Sequence, residues 1–187
     1  HPAEMIREAY ACGERLFGES RVQELCAKQE SLVDLSELQW HFIGHLQTNK
    51  VKYIVPFVHL IHGVDSPRLL QEINKEAVKA GRVVNCLLQV HVAAEETKFG
   101  FSPDELLDYM AEGTWRQYAG VRLCGVMGMA TNTDDVACVK HDFATFIHSY
   151  YSVTILRLKN YIGNYFVSFF IFIIFNHFKV RLEVVTS

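Results

Sequence analysis

The chain has 187 residues, 50% of them hydrophobic and 21% charged, a length and balance that allow one domain with a real core. Its net charge of −3 and pI near 6.3 leave no basic stripe to neutralise phosphates, which argues against a nucleic-acid protein. Cys12, Cys26, Cys86, Cys124 and Cys138 are odd in number, scattered and without a CxxC, a pattern of reduced cytoplasmic thiols rather than of a disulfide framework.

The chain opens at His1-Pro2, with no Met and no charged-then-apolar leader, and is expected to be a fragment. Residues 3–13 (AEMIREAYACG) read as a helix behind Pro2, with Gly13 as its stop. Residues 15–19 are a short strand. Ser20 is expected to cap the next helix, with Gln23 at capping-box spacing and Val22, Leu25 and Cys26 as the apolar face.

Residues 40–52 (WHFIGHLQTNKVK) are the centre of the reading. A buried strand over 41–46 gives way at Gln47 to a helix starting at Asn49, with Thr48 as its cap. A strand end and a helix start then lie within about three residues, where α/β folds place ligand sites. Residues 58–64 (VHLIHGV) form the next strand, and Asp65-Ser66-Pro67 opens a helix that Gly81 closes. Residues 83–92 (VVNCLLQVHV) read as a strand buried on both faces, as parallel sheets require. A polar loop over 93–100, a helix from Ser102-Pro103-Asp104, a strand over 121–130 and a helix over 136–150 complete the alternation.

Five strands alternating with helices through short loops predict an α/β fold with a parallel sheet, a barrel or a doubly wound sheet. No dinucleotide glycine fingerprint follows any strand, and the run from Gly44 to Lys50 lacks the second glycine of a phosphate loop. The expectation is a single-domain (β/α) TIM-type barrel, partial, with about five of eight strands recognisable and functional residues after the strands. Residues 1–150 form this unit, and 151–187 are a divergent apolar tail. Helical periodicity is lost over 151–160, and 166–175 (FVSFFIFIIF) is an apolar strand-like run too short for a bilayer, which needs about 20 residues.

Four places fall at predicted strand ends: Glu19-Ser20, the 44–50 turn, the 93–100 loop and 127–131. Each also has a plainer role. Ser20 serves as a cap, and Met127 and Met129 as interior packing. His41 and His45, on one strand face, could share a metal, but without a nearby third ligand they read as core or wall histidines. His59 and His62, three apart, are assigned to opposite faces. Lys98 is by default a loop charge beside Glu95 and Glu96; its functional reading is a cation aimed at a ligand phenolate or phosphate.

Four stretches in order resemble one family. RLFGESRVQEL (15–25) is similar to its FGEN-x-x-QEL, with Ser20 where asparagine is usual, and WHFIGHLQTNKVK matches its strand-and-turn motif. VHVAAEETKFGF (90–101) resembles its loop of paired acids, lysine and glycine, and GVMGMATNTDD (125–135) its GLM(G/T)M strand end. By this resemblance, over residues 1–148, the chain is identified as a member of the YggS/PROSC pyridoxal-phosphate homeostasis proteins. The resemblance implies the barrel of the alanine racemase N-terminal domain, with Ser20, His41, Lys98 and Met127 as cofactor-binding residues. It implies a carrier that binds pyridoxal 5′-phosphate through a lysine Schiff base, buffers the reactive aldehyde and supplies apo pyridoxal-phosphate enzymes, without robust catalysis of its own. The family lysine ends a first barrel strand that is expected to precede His1, and nothing in 151–187 matches the family's glycine-rich phosphate segment. Weak or absent cofactor binding is therefore expected. A racemase-like enzyme and a non-functional fragment are the alternatives.

Overall fold

In the computed structural model the described residues are 1–93, 99–131, 133–159, 169–174 and 183–185, with side chains of 155–159 and of the last two stretches excepted. The elements are α1 (Ala3–Ala11), β1 (Leu16–Glu19), α2 (Val22–Ser31), β2 (Gln39–Phe42), α3 (Val51–Ile54), β3 (Leu60–Val64), α4 (Pro67–Lys79), β4 (Val84–Val90), α5 (Pro103–Glu112), β5 (Val121–Met129), α6 (Val136–Lys159), β6 (Phe169–Ile174) and β7 (Glu183–Val185). All seven strands join one sheet in the order β1-β2-β3-β4-β5-β6-β7. Every pairing is parallel except β6 with β7, which is antiparallel. Strictly sequential order is that of a barrel wall; a doubly wound sheet would reverse it at a switch point. The wall is open, so the fold is a partial barrel, as expected.

Period-two alternation divides the strand residues between two faces. Trp40, Phe42, Ile61, Val64, Cys86, Leu88 and Val126 face the helices and build the main core with Leu25, Leu69, Leu70, Ile73, Leu106 and Phe146. Leu60, Leu87, Cys124 and Met127, with Met129 against them, form a second cluster on the inner face. β4 contributes to both clusters, which is why its sequence is nearly unbroken apolar.

The helix signals hold where a serine precedes a proline. Ser66 caps α4, its hydroxyl accepting from the Leu69 amide at 3.3 Å. Ser102 and Glu105 make a reciprocal capping box on α5, which Gly113 ends at φ 74°. Ser66→Ala is expected to lower stability by about 1 kcal/mol. An unchanged urea midpoint would remove the cap from the account.

Other expectations are corrected. Ser20 does not cap α2: Arg21 holds that position, with no side-chain bond. The reason is that the chain stays extended through Arg21 while the Ser20 carbonyl is packed under Gly44. Thr48 does not cap α3 either; it lies inside a 3-10 turn, Thr48–Lys50, behind Gln47. The central strand ends at Phe42 rather than 46: after a last ladder bond from Ile43 N to Glu19 O at 2.9 Å, Gly44 closes on Ser20 and the chain leaves the sheet. Helix α6 does not stop at 150. Phe146, Tyr150 and Val153 continue one buried stripe past that point, and exposed Tyr151 is what blurred the periodicity. Beyond the five strands recognised from sequence, the described residues of the sheet include β6, which lies within the 166–175 run and pairs with β5, and β7. Among the described residues no helix is long and apolar enough to cross a membrane.

Candidate functional site

The C-terminal ends of β1 to β5 lie along one edge of the parallel sheet, and two glycines let the turns after β1 and β2 close against each other and against β3 and β4. A Cβ at Gly44 would collide with the Ser20 carbonyl, so only glycine allows the turn after β2 to sit on the turn after β1. At Gly63 a Cβ would stand 3.0 Å from Gly44 O and 3.1 Å from Gln89 Oε1, which brings β3 under the same turn. Gly18 pairs with His41 in the β1–β2 ladder, and the place its Cβ would take lies 3.5 Å from the Ile43 side chain.

Three histidines gather where β2 and β3 pair. His62 Nε2 lies 3.1 Å from His41 Nδ1, and the ring centroids are 5.1 Å apart. The His59 ring stacks on His41 at 5.7 Å and 7°. This corrects the assignment of His59 and His62 to opposite faces: His59 precedes β3, so strand alternation does not govern it, and both rings reach His41. His62 is wholly buried and His41 largely so. Burial, then the neighbouring His59, pushes the His41 pKa down to about 4. Burial, then His41, pushes His62 down to about 3, and His59 is lowered by burial and by Arg82. All three are neutral at physiological pH. His41 Nε2 is buried with no hydrogen-bond partner among the described residues.

His45 does not join His41. It lies past the strand, where its Nδ1 meets Asp65 Oδ2 at 3.1 Å and its ring stacks on Phe99 at 3.7 Å. Gln89, on the inner face of β4 and 5% exposed, donates from Nε2 to Phe99 O at 2.7 Å. Loops after β2, β3 and β4 are thereby tied together. At β5 the carboxylate of buried Asp142 accepts from the Thr131 amide at 2.7 Å and holds the strand end to α6.

Of the residues singled out from sequence, His41 and Met127 share the inner face, Met127 being 1% exposed beside Leu60 and Leu87. Ser20 is exposed at the end of β1, on the rim. Lys98 lies outside the described residues. Sequence reasoning missed the His41–His62 contact, Gln89 and the His45–Asp65–Phe99 tie. The histidines were visible, but pairing them needs the register that sets His41 against Leu60. Among the described residues no group of three His, Cys, Asp or Glu side chains could hold a metal.

The alanine racemase N-terminal domain family matches residues 1–157. The chain is similar to the pyridoxal phosphate homeostasis protein of Aquifex aeolicus, 51% identical over 114 residues, which are 59% of this chain and 50% of that one. It is 37% identical over 143 residues to the protein of that name from Pseudomonas aeruginosa, covering 76% of this chain and 61% of the relative. The chain thus spans between half and two thirds of these relatives' length. The structure of PipY from Synechococcus elongatus without pyridoxal phosphate is 36% identical, with a TM-score of 0.76 over 85% of this chain and 72% of that one. PipY with pyridoxal phosphate bound gives 35% and a TM-score of 0.72, over 82% and 70% of the two chains. The chain belongs to the alanine racemase N-terminal domain family, among its pyridoxal phosphate homeostasis proteins.

Proposed function

We propose that this chain forms the wall of a pyridoxal 5′-phosphate site in a carrier protein that holds the cofactor and delivers it to apo enzymes. The observation that carries the reading is His41 Nε2, a buried, neutral ring nitrogen on the inner face of β2 without a hydrogen-bond partner among the described residues. Its setting suits a flat, anionic heteroaromatic ring. Leu60, Leu87 and Met127 form a buried apolar cluster with a polarisable thioether on the same face, and His41 offers one polar contact. Ser20 adds a rim hydroxyl, and Lys98 is assigned the cation for the phenolate or phosphate. When bound, the cofactor supplies an aldehyde that reacts with amines. The residues here bind and orient it and keep water from the inner face.

The lysines with described side chains, Lys28, Lys50, Lys52, Lys75, Lys79 and Lys140, all sit on helices or the 3-10 turn. Lys28, for example, pairs with Glu19 on the helix side. The described part of the protein therefore supplies a non-covalent wall rather than an amine anchor. A racemase reading needs acid/base groups on opposite sides of a substrate carbon. His41 and His62 lie side by side and are weak bases, which favours the carrier. We place the protein in the cytoplasm, which suits its free cysteines.

The test is to load the protein, remove excess cofactor, and add an apo pyridoxal-phosphate enzyme or L-alanine. The carrier reading expects the enzyme to regain activity while the alanine keeps its configuration. Racemised alanine, or an enzyme that stays inactive, would overturn it.

A further inference from the structure

We propose that His62 is a positioning residue that fixes the tautomer of His41: it donates Nε2–H to His41 Nδ1, so that His41 presents its own Nε2–H as a donor to an anionic oxygen of the ligand. The choice of ligand class rests on the cofactor reading above; the tautomer does not.

The geometry allows two proton arrangements. With 3.1 Å between His62 Nε2 and His41 Nδ1, one nitrogen must carry the hydrogen and the other must accept it. If His41 donates from Nδ1, both rings take the Nδ1–H form and the buried Nε2 of His41 is a bare acceptor. If His62 donates, both rings take the Nε2–H form, the commoner tautomer of neutral histidine, and His41 Nε2 carries a proton. The second arrangement asks nothing unusual of either ring.

The surroundings keep the pair neutral, so the donor is a fixed N–H rather than a titrating cation. His62 is wholly buried in β3, and burial disfavours the charged form of both rings. His59 stacks on His41, and Arg82 acts on His59, so positive charge nearby opposes protonation further. A histidine's outward nitrogen takes its role from the bond its other nitrogen makes. Here that bond comes from the neighbouring strand. The consequence is selectivity: a buried N–H rewards a phenolate or phosphate oxygen and penalises a ligand that presents only donors or apolar atoms.

Two measurements decide it. Long-range proton–nitrogen correlation spectra of the histidine-labelled chain at neutral pH read the tautomers without any ligand. Protonated Nε2 and bare Nδ1 on His41 are expected; a proton on His41 Nδ1 overturns the proposal. Binding is then read with pyridoxine 5′-phosphate, which lacks the aldehyde and so cannot react with lysines. The amide of His62→Gln can still donate to His41, so that variant should bind within about threefold of the unaltered chain, whereas His62→Phe should lose about tenfold. Equal affinities for the Gln and Phe variants, with both folded by circular dichroism, would reduce His62 to packing and overturn the role. If the unaltered chain binds no pyridoxine phosphate while the spectra match, the cofactor reading fails and the tautomer assignment stands.

Discussion

Gly44→Ala is expected to destabilise the protein by about 3 kcal/mol or more, although it adds a single methyl group. The new Cβ has no free direction, because it meets the Ser20 backbone rather than the movable end of a side chain. Relief requires the turn after β2 to lift off the turn after β1. The ladder step from Ile43 N to Glu19 O then opens, and His41 loses its fixed place in the sheet. Gly18→Ala is the control. Its Cβ would make only ordinary contacts, with the Ile43 side chain at 3.5 Å and His41 O at 3.9 Å, so its cost should stay below about 1 kcal/mol. Urea midpoints for the two variants check this. Similar losses would mean that the Gly44–Ser20 contact is not what joins the strand ends.

The second large effect is loss of stability in acid. An unfolded chain protonates its histidines near the ordinary value of 6.5, whereas folded His41 and His62 resist until about 4 and about 3. Between those limits the unfolded state binds more protons, so stability is full above pH 6.5 and falls as pH drops towards 4 and then 3. A pKa unit is worth about 1.4 kcal/mol, so the combined loss is on the order of several kcal/mol, less than the sum for two independent groups because the rings share one environment. His59, lowered in the same direction, adds to the slope. Unfolding free energy measured from pH 7 to pH 4 should show the fall, and His62→Phe should flatten it. A level profile in the unaltered chain, or an unchanged slope in the variant, would contradict neutral burial of the pair.

Much of the wall was legible because its signals are local. The doubly apolar run of β4, the Ser-Pro starts of α4 and α5, and the glycines at 81 and 113 each name their structure within a few residues. The corrections come from tertiary contact. Ser20 carries the right chemistry for a cap, yet its carbonyl is committed to packing under Gly44, some two dozen residues on. The stripe of Phe146, Tyr150 and Val153 crosses the point where aromatic residues on the outer face make the pattern look broken. The site was half legible. Alternation separates His41 from Trp40 and Phe42, and Met127 from Val126, which is enough to put both on the inner face. Their meeting with His62 and Gln89 depends on register between strands far apart in sequence, and the bulge between Ile61 and Val64 shifts that register. His45 shares the parity of His41, but the strand ends before it, so it turns to Asp65 and Phe99 instead.

If the inner face binds pyridoxal 5′-phosphate through His41, loss of that ring removes the polar contact that holds the cofactor. Equilibrium titration of the unaltered chain and of His41→Ala with that cofactor tests it most directly. The account predicts saturable binding at one site, weakened about tenfold or more when the ring nitrogen is removed. Non-saturable uptake spread over surface lysines, or equal affinity in the two proteins, would contradict it.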